Sequence, residues 1–396
     1  MKQRVVVGLS GGVDSSVAAL LLKEQGYDVI GLFMINWHDT TGTLYGDCSW
    51  KDDLVFAELV ARKIGIPCYT VDLSEPYRQR VVDYMFAEYE KGRTPNPDIL
   101  CNREIKFDQF VSVARQYEAD YIATGHYSRI ETLKKKSKTI YRLLAGVDPN
   151  KDQSYFLCQL SQKQLASALF PIGHLNKPQV RKIAEKNGLA TAKRKDSQGI
   201  CFVGKVDLPE FLKQKIKPRE GEIIEIPENT SIFTLAPELS DNRESLDVLS
   251  QPWSYSPEDG YATGKHEGAN YFTIGQRKGL DIGGKERPLF VIATDIEKNI
   301  VYVGQGEDHP GLYRNCLFIK NADIHWLRPD LGMQPGEKQN FLVRIRYRQP
   351  LQNATLHRFD NGMYILFENK QRGITPGQYA AWYLNDELIG SGVIDK

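Results

Sequence analysis

Residues 5–33 read VVVGLSGGVDSSVAALLLKEQGYDVIGLF. Two apolar runs flank a cluster of serines and glycines, and the reading of that cluster decides the fold. Residues 4–9, with Val5, Val6 and Val7 in sequence, read as a buried strand. Residues 14–25 carry Val17, Leu20 and Leu21 on one helical side, with Gly26 as the C-terminal stop. Residues 28–35 read as a second strand. Between strand and helix, Gly11 and Gly12 let backbone amides approach an anion closely. The helix behind them offers free N–H groups and the positive end of its dipole. Ser10, Ser15 and Ser16 add hydroxyl donors, and Asp14 suits a Mg²⁺ bridging to phosphates better than a phosphate itself. The loop is neither GxxxxGK[ST] nor GxGxxG. The plainer alternative is a strand-to-helix turn capped by Ser or Asp.

Outward from the loop, strand and helix patterns alternate. Helices are predicted over 52–64, 76–91 and 102–117, and strands over 68–73 and 120–125. That alternation specifies an α/β fold with a doubly wound parallel sheet, whose ligands sit at the carboxyl ends of the strands. Gly125 ends the fourth strand, which lies beside the first in the usual order of such sheets. A glycine there lets a nucleotide lie against the backbone; the alternative is a simple strand-ending glycine. His126 reads as a hydrogen-bonded structural histidine in preference to a base.

Past residue 205 the text changes. Residues 221–283 hold glycines, prolines and short β-like pieces, with a polar stretch at 238–256 that reads as a loop. Short β-type runs follow at 289–293, 300–303, 342–347, 363–367 and 379–383, the pattern of a small β-barrel. The expected division is a nucleotide-binding catalytic domain over 1–203, a small central domain over 204–283, and a C-terminal β-barrel over 284–396. No internal repeat occurs, and the dense basic run at 134–138 reads as a solvated hairpin tip.

The chain of 396 residues suits two or three domains. Its 41% hydrophobic and 26% charged residues are ordinary for a soluble globular protein. No apolar run is long enough to cross a bilayer, and MKQRVVVGLSGG lacks a secretory signal, so a cytoplasmic location and no membrane partner are expected. A net charge of +1 excludes a globally basic nucleic-acid binder while permitting basic patches. Six cysteines in so long a chain do not make a disulfide scaffold.

Two of those cysteines stand in unusual settings. Cys101 lies in TPNPDILCNREIKF, where a helix starting near Asn102, with Arg103 and Lys106, is expected to favour the thiolate; for it and for Cys201 the alternative is one more buried thiol. Cys201 lies in KRKDSQGICF, after Lys193, Arg194 and Lys195, which favour the thiolate and suit an RNA backbone. Cys68, Cys158 and Cys316 read as buried thiols, and Cys48 is undecided. Residues 343–348 place Arg344, Arg346 and Arg348 on one strand face by period two, with Tyr347 available to pack on a base; a solvated face is the alternative.

SGGVDS in this position is similar to the PP-loop of ATP pyrophosphatases. SGGVDSS, TPNPDILCNREIKF, ATGHY, KDQSYFL, DSQGICFVG and YFTIGQRKGL together resemble the bacterial tRNA-specific 2-thiouridylases, the MnmA family, along nearly the whole chain. The resemblance implies an enzyme that adenylates the C2 oxygen of the wobble uridine with ATP and Mg²⁺, then replaces it by sulfur. It implies that Gly8, Leu9, Ser10, Gly11, Gly12, Val13, Asp14, Ser15, Met34 and Gly125 hold ATP. It implies that Cys201 carries the sulfur as a persulfide, and that Cys101 helps release it and ends in a disulfide with Cys201. Asp98 is implied as a proton-transfer group beside the target base. Asn96, Pro97 and Asp98, with Lys151, Asp152 and Gln153, are implied to meet the RNA near that base, and Arg346 and Tyr347 to touch the tRNA. The implied partners are tRNA and a sulfur-relay or cysteine desulfurase protein. Residues 227–262 look like an insertion relative to the family.

The chemistry fits these residue types. A carbonyl oxygen is a poor leaving group and AMP a good one. A persulfide supplies a sulfur nucleophile, and a second thiol can attack its inner sulfur. Other readings use the same loop: a PP-loop ligase of the argininosuccinate synthetase type, or an RNA-binding module with ATP as a structural ligand. An iron–sulfur cluster on Cys101, Cys201 and a further ligand remains open, whereas zinc lacks close Cys or His pairs.

Overall fold

The computed structural model describes residues 2–38, 50–135, 138–196, 207–234 and 240–396. Its first sheet uses β1 (Arg4–Gly8), β2 (Asp28–Ile35), β3 (Cys68–Asp72) and β4 (Tyr121–Ala123). After a hairpin of β5 (Ser128–Lys135) and β6 (Lys138–Ala145), β7 (Ala168–Leu169) completes it. The order is β3-β2-β1-β4-β7, and every pairing is parallel. The order reverses at β1 and β4, which places the expected ligand crevice at their carboxyl ends.

Helices cover both faces of this sheet, so β1 and β2 are buried along most of their length, while the edge strand β3 is more exposed. Val6, Ile30, Leu32 and Met34 face the helical stretches at 74–90 and 97–116. Val5, Val7, Val29 and Phe33 face α1 (Val13–Glu24) and α2 (Trp50–Ile64). The chain leaves α1 through Gly26 at φ +90°, with the Tyr27 N–H donating to Leu22 O at 3.2 Å. The 97–116 stretch starts at Pro97, where Asn96 Oδ1 accepts the Ile99 N–H at 3.2 Å. Its middle, Cys101–Gln109, is wound in the wider turns of a π-helix.

The middle sheet holds β8 (Gly221–Glu225), β9 (Tyr261–His266), β10 (Leu289–Asp295) and β11 (Ile300–Gln305), in the order β10-β11-β8-β9. The runs at 289–293 and 300–303, expected in the C-terminal barrel, therefore belong here, with Ile300 in register with Glu222. Their alternation explains the pairing. Val291, Val301, Val303 and Ile223 fill one core, while Phe290, Ile292, Tyr302 and Ile224 fill another on the opposite face. The stretch 238–256, read as a loop, contains the helix Arg243–Ser250. Asn242 caps it, and its single fully buried apolar side chain, Leu246, packs on Cys316, Phe318 and Tyr364. One buried leucine in eight residues is too faint a period to read.

The last sheet holds β12 (Tyr313–Lys320), β13 (Ile324–Trp326), β14 (Lys338–Arg344), β15 (Gln352–Phe359), β16 (Gly362–Arg372), β17 (Tyr379–Leu384) and β18 (Glu387–Val393). The order is β12-β16-β15-β14-β17-β18-β6-β5, with β13 on β18. The Phe318 N–H donates to Lys396 O at 2.8 Å and the Asp395 N–H to Phe318 O at 2.9 Å, which closes β12 onto the chain just past β18. The β5–β6 hairpin thus leaves the first sheet to extend this barrel, with Leu388 opposite Leu143.

One core joins all three regions. Phe110, Tyr155, Phe211, Tyr271, Tyr379 and Tyr383 belong to it together. Fully buried Tyr155 directs its hydroxyl at Tyr379 O (3.0 Å) and Ile345 O (3.3 Å), and Ser154 Oγ lies 3.1 Å from the Tyr383 hydroxyl. Replacing Tyr155 with Phe leaves those carbonyls without their buried donor. Urea unfolding of Tyr155→Phe is expected to show a loss of about 1–3 kcal/mol. An unshifted midpoint would mean that the hydroxyl does not fasten the barrel.

Candidate active site

The loop after β1 is shaped by steric exclusion. Gly11 has φ +70°, and a Cβ there would lie 2.3 Å from Asp53 O. Gly12 caps α1 with no side-chain hydrogen bond to the helix end, which leaves first-turn N–H groups for an anion. Ser15 Oγ instead accepts the Ser10 N–H at 3.1 Å, and Ser16 Oγ donates to Gly12 O at 2.7 Å. These bonds brace the loop from behind. The loop thus fits a nucleotide's phosphates.

Asp14 is engaged by two side chains. Lys177 Nζ lies 2.8 Å from both of its carboxylate oxygens, and the Tyr127 hydroxyl donates to Oδ1 at 2.7 Å. The same ammonium lies 2.7 Å from Asp196 Oδ1. Lys151 and Arg181 also pair with Asp196, at 2.6 Å and 2.9 Å. Burial pushes the Asp196 carboxyl up, but the hydrogen bonds of Lys151 and Lys177 and their charges outweigh it and hold the group at about 2. Asp14, which the sequence suits to Mg²⁺, is here paired with a lysine 163 residues away. Among the described residues no cluster of three or more His, Cys, Asp or Glu side chains is placed to hold a metal.

Arg194 is likewise turned inward. It donates to Gly11 O at 2.8 Å, pairs with Asp53, and lies over the Phe56 ring at 4.3 Å. It is thus a brace of the phosphate loop, whereas Lys193 and Lys195 are exposed. Burial raises the Asp53 carboxyl even with Arg194 beside it.

The floor of the crevice is the carboxyl edge of β1, β2 and β4. A Cβ on Gly8 would meet Met34 Cε at 3.4 Å and Phe110 at 3.7 Å. Gly125 presses on the start of α1, where a Cβ would lie 2.6 Å from Ser15 N. His126 is buried between Phe107 and Phe170 and shares a 2.7 Å hydrogen bond with Thr124 Oγ1. Burial, then the charge of Lys106, keeps it neutral, which agrees with a structural histidine.

Cys101 is fully buried in the helical stretch that covers this floor. Its expected place at a helix start does not hold. The helix begins at Pro97, and the Cys101 N–H already bonds to the carbonyls of Pro97 and Asp98. Arg103 turns to Glu104 and Gln159. Cys201 and Cys48 lie outside the described residues. Cys68, Cys158 and Cys316 are thiols whose pKa burial pushes up, to about 11, 12 and 12.

The remaining expected RNA contacts surround this helix. Asn102 Nδ2 donates to Phe156 O at 3.0 Å, and the Phe156 ring lies 4.4 Å from that of Tyr347. The Tyr347 hydroxyl reaches Lys151 O at 3.5 Å. Asp152 faces inward, 5% exposed; it accepts from Gly146 N, Ser154 N and Ser154 Oγ and pairs with Arg344 at 3.1 Å. Gln153 Oε1 accepts the Tyr127 N–H at 3.0 Å. Both side chains are therefore committed within the protein. Strand β14 ends at Arg344, so the three arginines do not share a strand face. Arg344 is buried over the Tyr383 ring, while exposed Arg346 follows in a turn and donates to Gly373 O at 2.8 Å. Arg346, Thr273, Gly275 and Gln378 line a cavity of about 320 Å³. Gln378 is 3.4 Å from Asn96 Nδ2, so the cavity adjoins the start of the Cys101 helix. Lys177, absent from the sequence reading, carries no local signal, and Tyr127, the last residue of ATGHY, is given no role there, because only the fold brings them to Asp14.

Residues 3–205 match a family described as tRNA methyl transferase HUP domain. Residues 255–305 match a tRNA methyl transferase PRC-barrel domain, and residues 316–394 an aminomethyltransferase β-barrel domain. A protein of Flavobacterium johnsoniae described as tRNA-specific 2-thiouridylase MnmA is 59% identical over 393 residues, covering 99% of this chain and 100% of its own. Proteins of the same description from Christiangramia forsetii and Karelsulcia muelleri are 58% and 47% identical, each over 99% of this chain and over 100% and 99% of their own.

The geometry sets two expectations. Gly125→Ala places a methyl group on Ser15 N and is expected to weaken ATP binding about tenfold or more; calorimetry showing wild-type affinity would contradict the close approach. The folded-state pKa of Asp196, about 2, lies below the ordinary 3.8, so its ion pairs stabilise the protein above the unfolded value and fade as pH falls toward the folded one. The gap in unfolding midpoint between wild type and Asp196→Asn is expected to shrink from pH 5 to pH 3. A gap constant with pH would show that the carboxylate charge is not what stabilises.

Proposed function

The chain belongs to the MnmA family of tRNA-specific 2-thiouridylases, and from that premise we propose that it converts the wobble uridine of tRNA to 2-thiouridine. One observation supports the reading most. Phe110, on the helix that carries Cys101, packs over Gly8 beside Met34, so that helix roofs the floor of the phosphate loop. A nucleotide on the loop and a base reaching Cys101 would then lie together.

In the proposed reaction ATP activates the C2 oxygen as an adenylate and pyrophosphate leaves. The glycine loop and the open end of α1 bind and orient the phosphates, and Met34 and Gly125 line the adenosine side. Mg²⁺ would arrive with the phosphates, since Asp14 is held by Lys177. The outer sulfur of a persulfide on Cys201 attacks C2 and displaces AMP. The Cys101 thiolate then attacks Cys201 Sγ, the C2–S group leaves as the thiocarbonyl, and a disulfide between the two cysteines remains. An external thiol reductant restores both. Asp98, on the first turn of the Cys101 helix, is the proposed proton carrier. A sulfur-relay or desulfurase protein supplies the persulfide. Exposed Lys193, Lys195 and Arg346 are proposed to meet the RNA backbone.

The test is nucleoside mass spectrometry of unmodified tRNA after incubation with the protein, ATP, Mg²⁺ and a persulfide source. 2-Thiouridine is expected with the wild type and only background with Cys101→Ser or Cys201→Ser. An active Cys201→Ser protein would refute the assignment, and pyrophosphate release without thiolation by the wild type would favour a different ATP-dependent modification.

A further inference from the structure

Asn102 is 2% exposed and follows Cys101 in the chain. Its amide is half satisfied: Nδ2 donates to Phe156 O, while Oδ1 is buried and has no hydrogen-bond partner among the described residues. Chemistry forces that orientation. A backbone carbonyl only accepts, so the NH₂ must face Phe156 O and the side-chain carbonyl must turn away. An amide flip would set two acceptors against each other. A buried acceptor with no donor costs about 1–3 kcal/mol, so Oδ1 is an unfilled acceptor of fixed direction.

Its place in the fold gives that acceptor a use. Phe156 lies in the turn Ser154–Leu157, directly after Lys151, Asp152 and Gln153. Asn102 lies in the helical stretch begun by Pro97 and capped by Asn96. It therefore ties the Cys101 helix, which also carries Asp98, to the turn that follows Lys151. Cys101, the preceding residue of the same helical stretch, is equally enclosed, so both side chains need the same stretch to open before a base can reach either.

We propose that Asn102 Oδ1 accepts the N3–H of the incoming uracil and so selects uracil over cytosine at the modified position; this rests on the function proposed above. Uracil N3 bears a proton, whereas cytosine N3 bears a lone pair. A fixed acceptor attracts the first and repels the second, and a site built around such a bond rejects a base that cannot make it. The Phe156 carbonyl is the positioning element that keeps the acceptor end presented.

The test compares thiolation of two tRNA transcripts, one with uridine and one with 3-deazauridine at the wobble position. The analogue keeps the C2 carbonyl and puts C–H in place of N3–H. The wild-type protein is expected to favour uridine about tenfold or more in kcat/KM. Asn102→Ala is expected to lower turnover of uridine by a much larger factor than turnover of the analogue, so that the preference for uridine is lost. Equal rates for both transcripts with the wild type overturn the proposal, and this arm needs no variant. An equal-fold loss on both transcripts in Asn102→Ala also overturns it, since a purely structural tether behaves in that way. Thiolation of neither transcript by the wild type would overturn the function proposed above, and this inference with it.

Discussion

The ammonium of Lys177 is the point on which the site depends. It is 9% exposed and lies between the carboxylates of Asp14 and Asp196. A lysine so enclosed needs anions, and two carboxylates so close need a cation. Asp14 belongs to the phosphate loop, and Asp196 is the last described residue before the segment that leads to Cys201. Arg194, two residues earlier, grips Gly11 O. The strand-to-helix loop and the chain entering the cysteine segment are thus tied by charge at two places. Without Lys177, Asp14 would lose its cation, while Asp196 would keep Lys151 and Arg181.

A second constraint seals the opposite side. The first domain lends its β5–β6 hairpin to the barrel, and the turn after residue 151 inserts Ser154 and Tyr155 among barrel residues. Arg93 adds a clasp, pairing with Asp395 at 3.0 Å and donating to Ile394 O at 3.1 Å. The barrel is therefore a wall of the same site. Tyr347, Gln378 and Arg346 approach the Cys101 helix only because these joints hold the barrel in place.

Much of the fold was legible in the chain itself. The parallel sheet follows from apolar runs separated by helical periods, and those runs are local facts. Gly11, Gly26 and Gly125 announce positions where a side chain would collide or the backbone must turn left, and each does so. Partner choice among short β runs was not legible. Residues 289–293 and 300–303 look like barrel strands, yet cores on both of their faces draw them to β8. The helix Arg243–Ser250 escaped because its burial rests on one leucine meeting a distant strand.

At the site the division is the same. The sequence by itself determined the phosphate loop, the glycines that floor it and the two cysteine motifs, because loop geometry and motif chemistry are carried by adjacent residues. The tertiary structure alone decided that Asp14 faces a lysine, that Arg194 braces the loop, that Asp152 is a buried anchor, and that Arg344 and Arg346 part company at a strand end. Each of those outcomes depends on which distant charge or carbonyl arrives to pair with the group. Electrostatic pairing and burial act through space, so no pattern of neighbours along the chain encodes them.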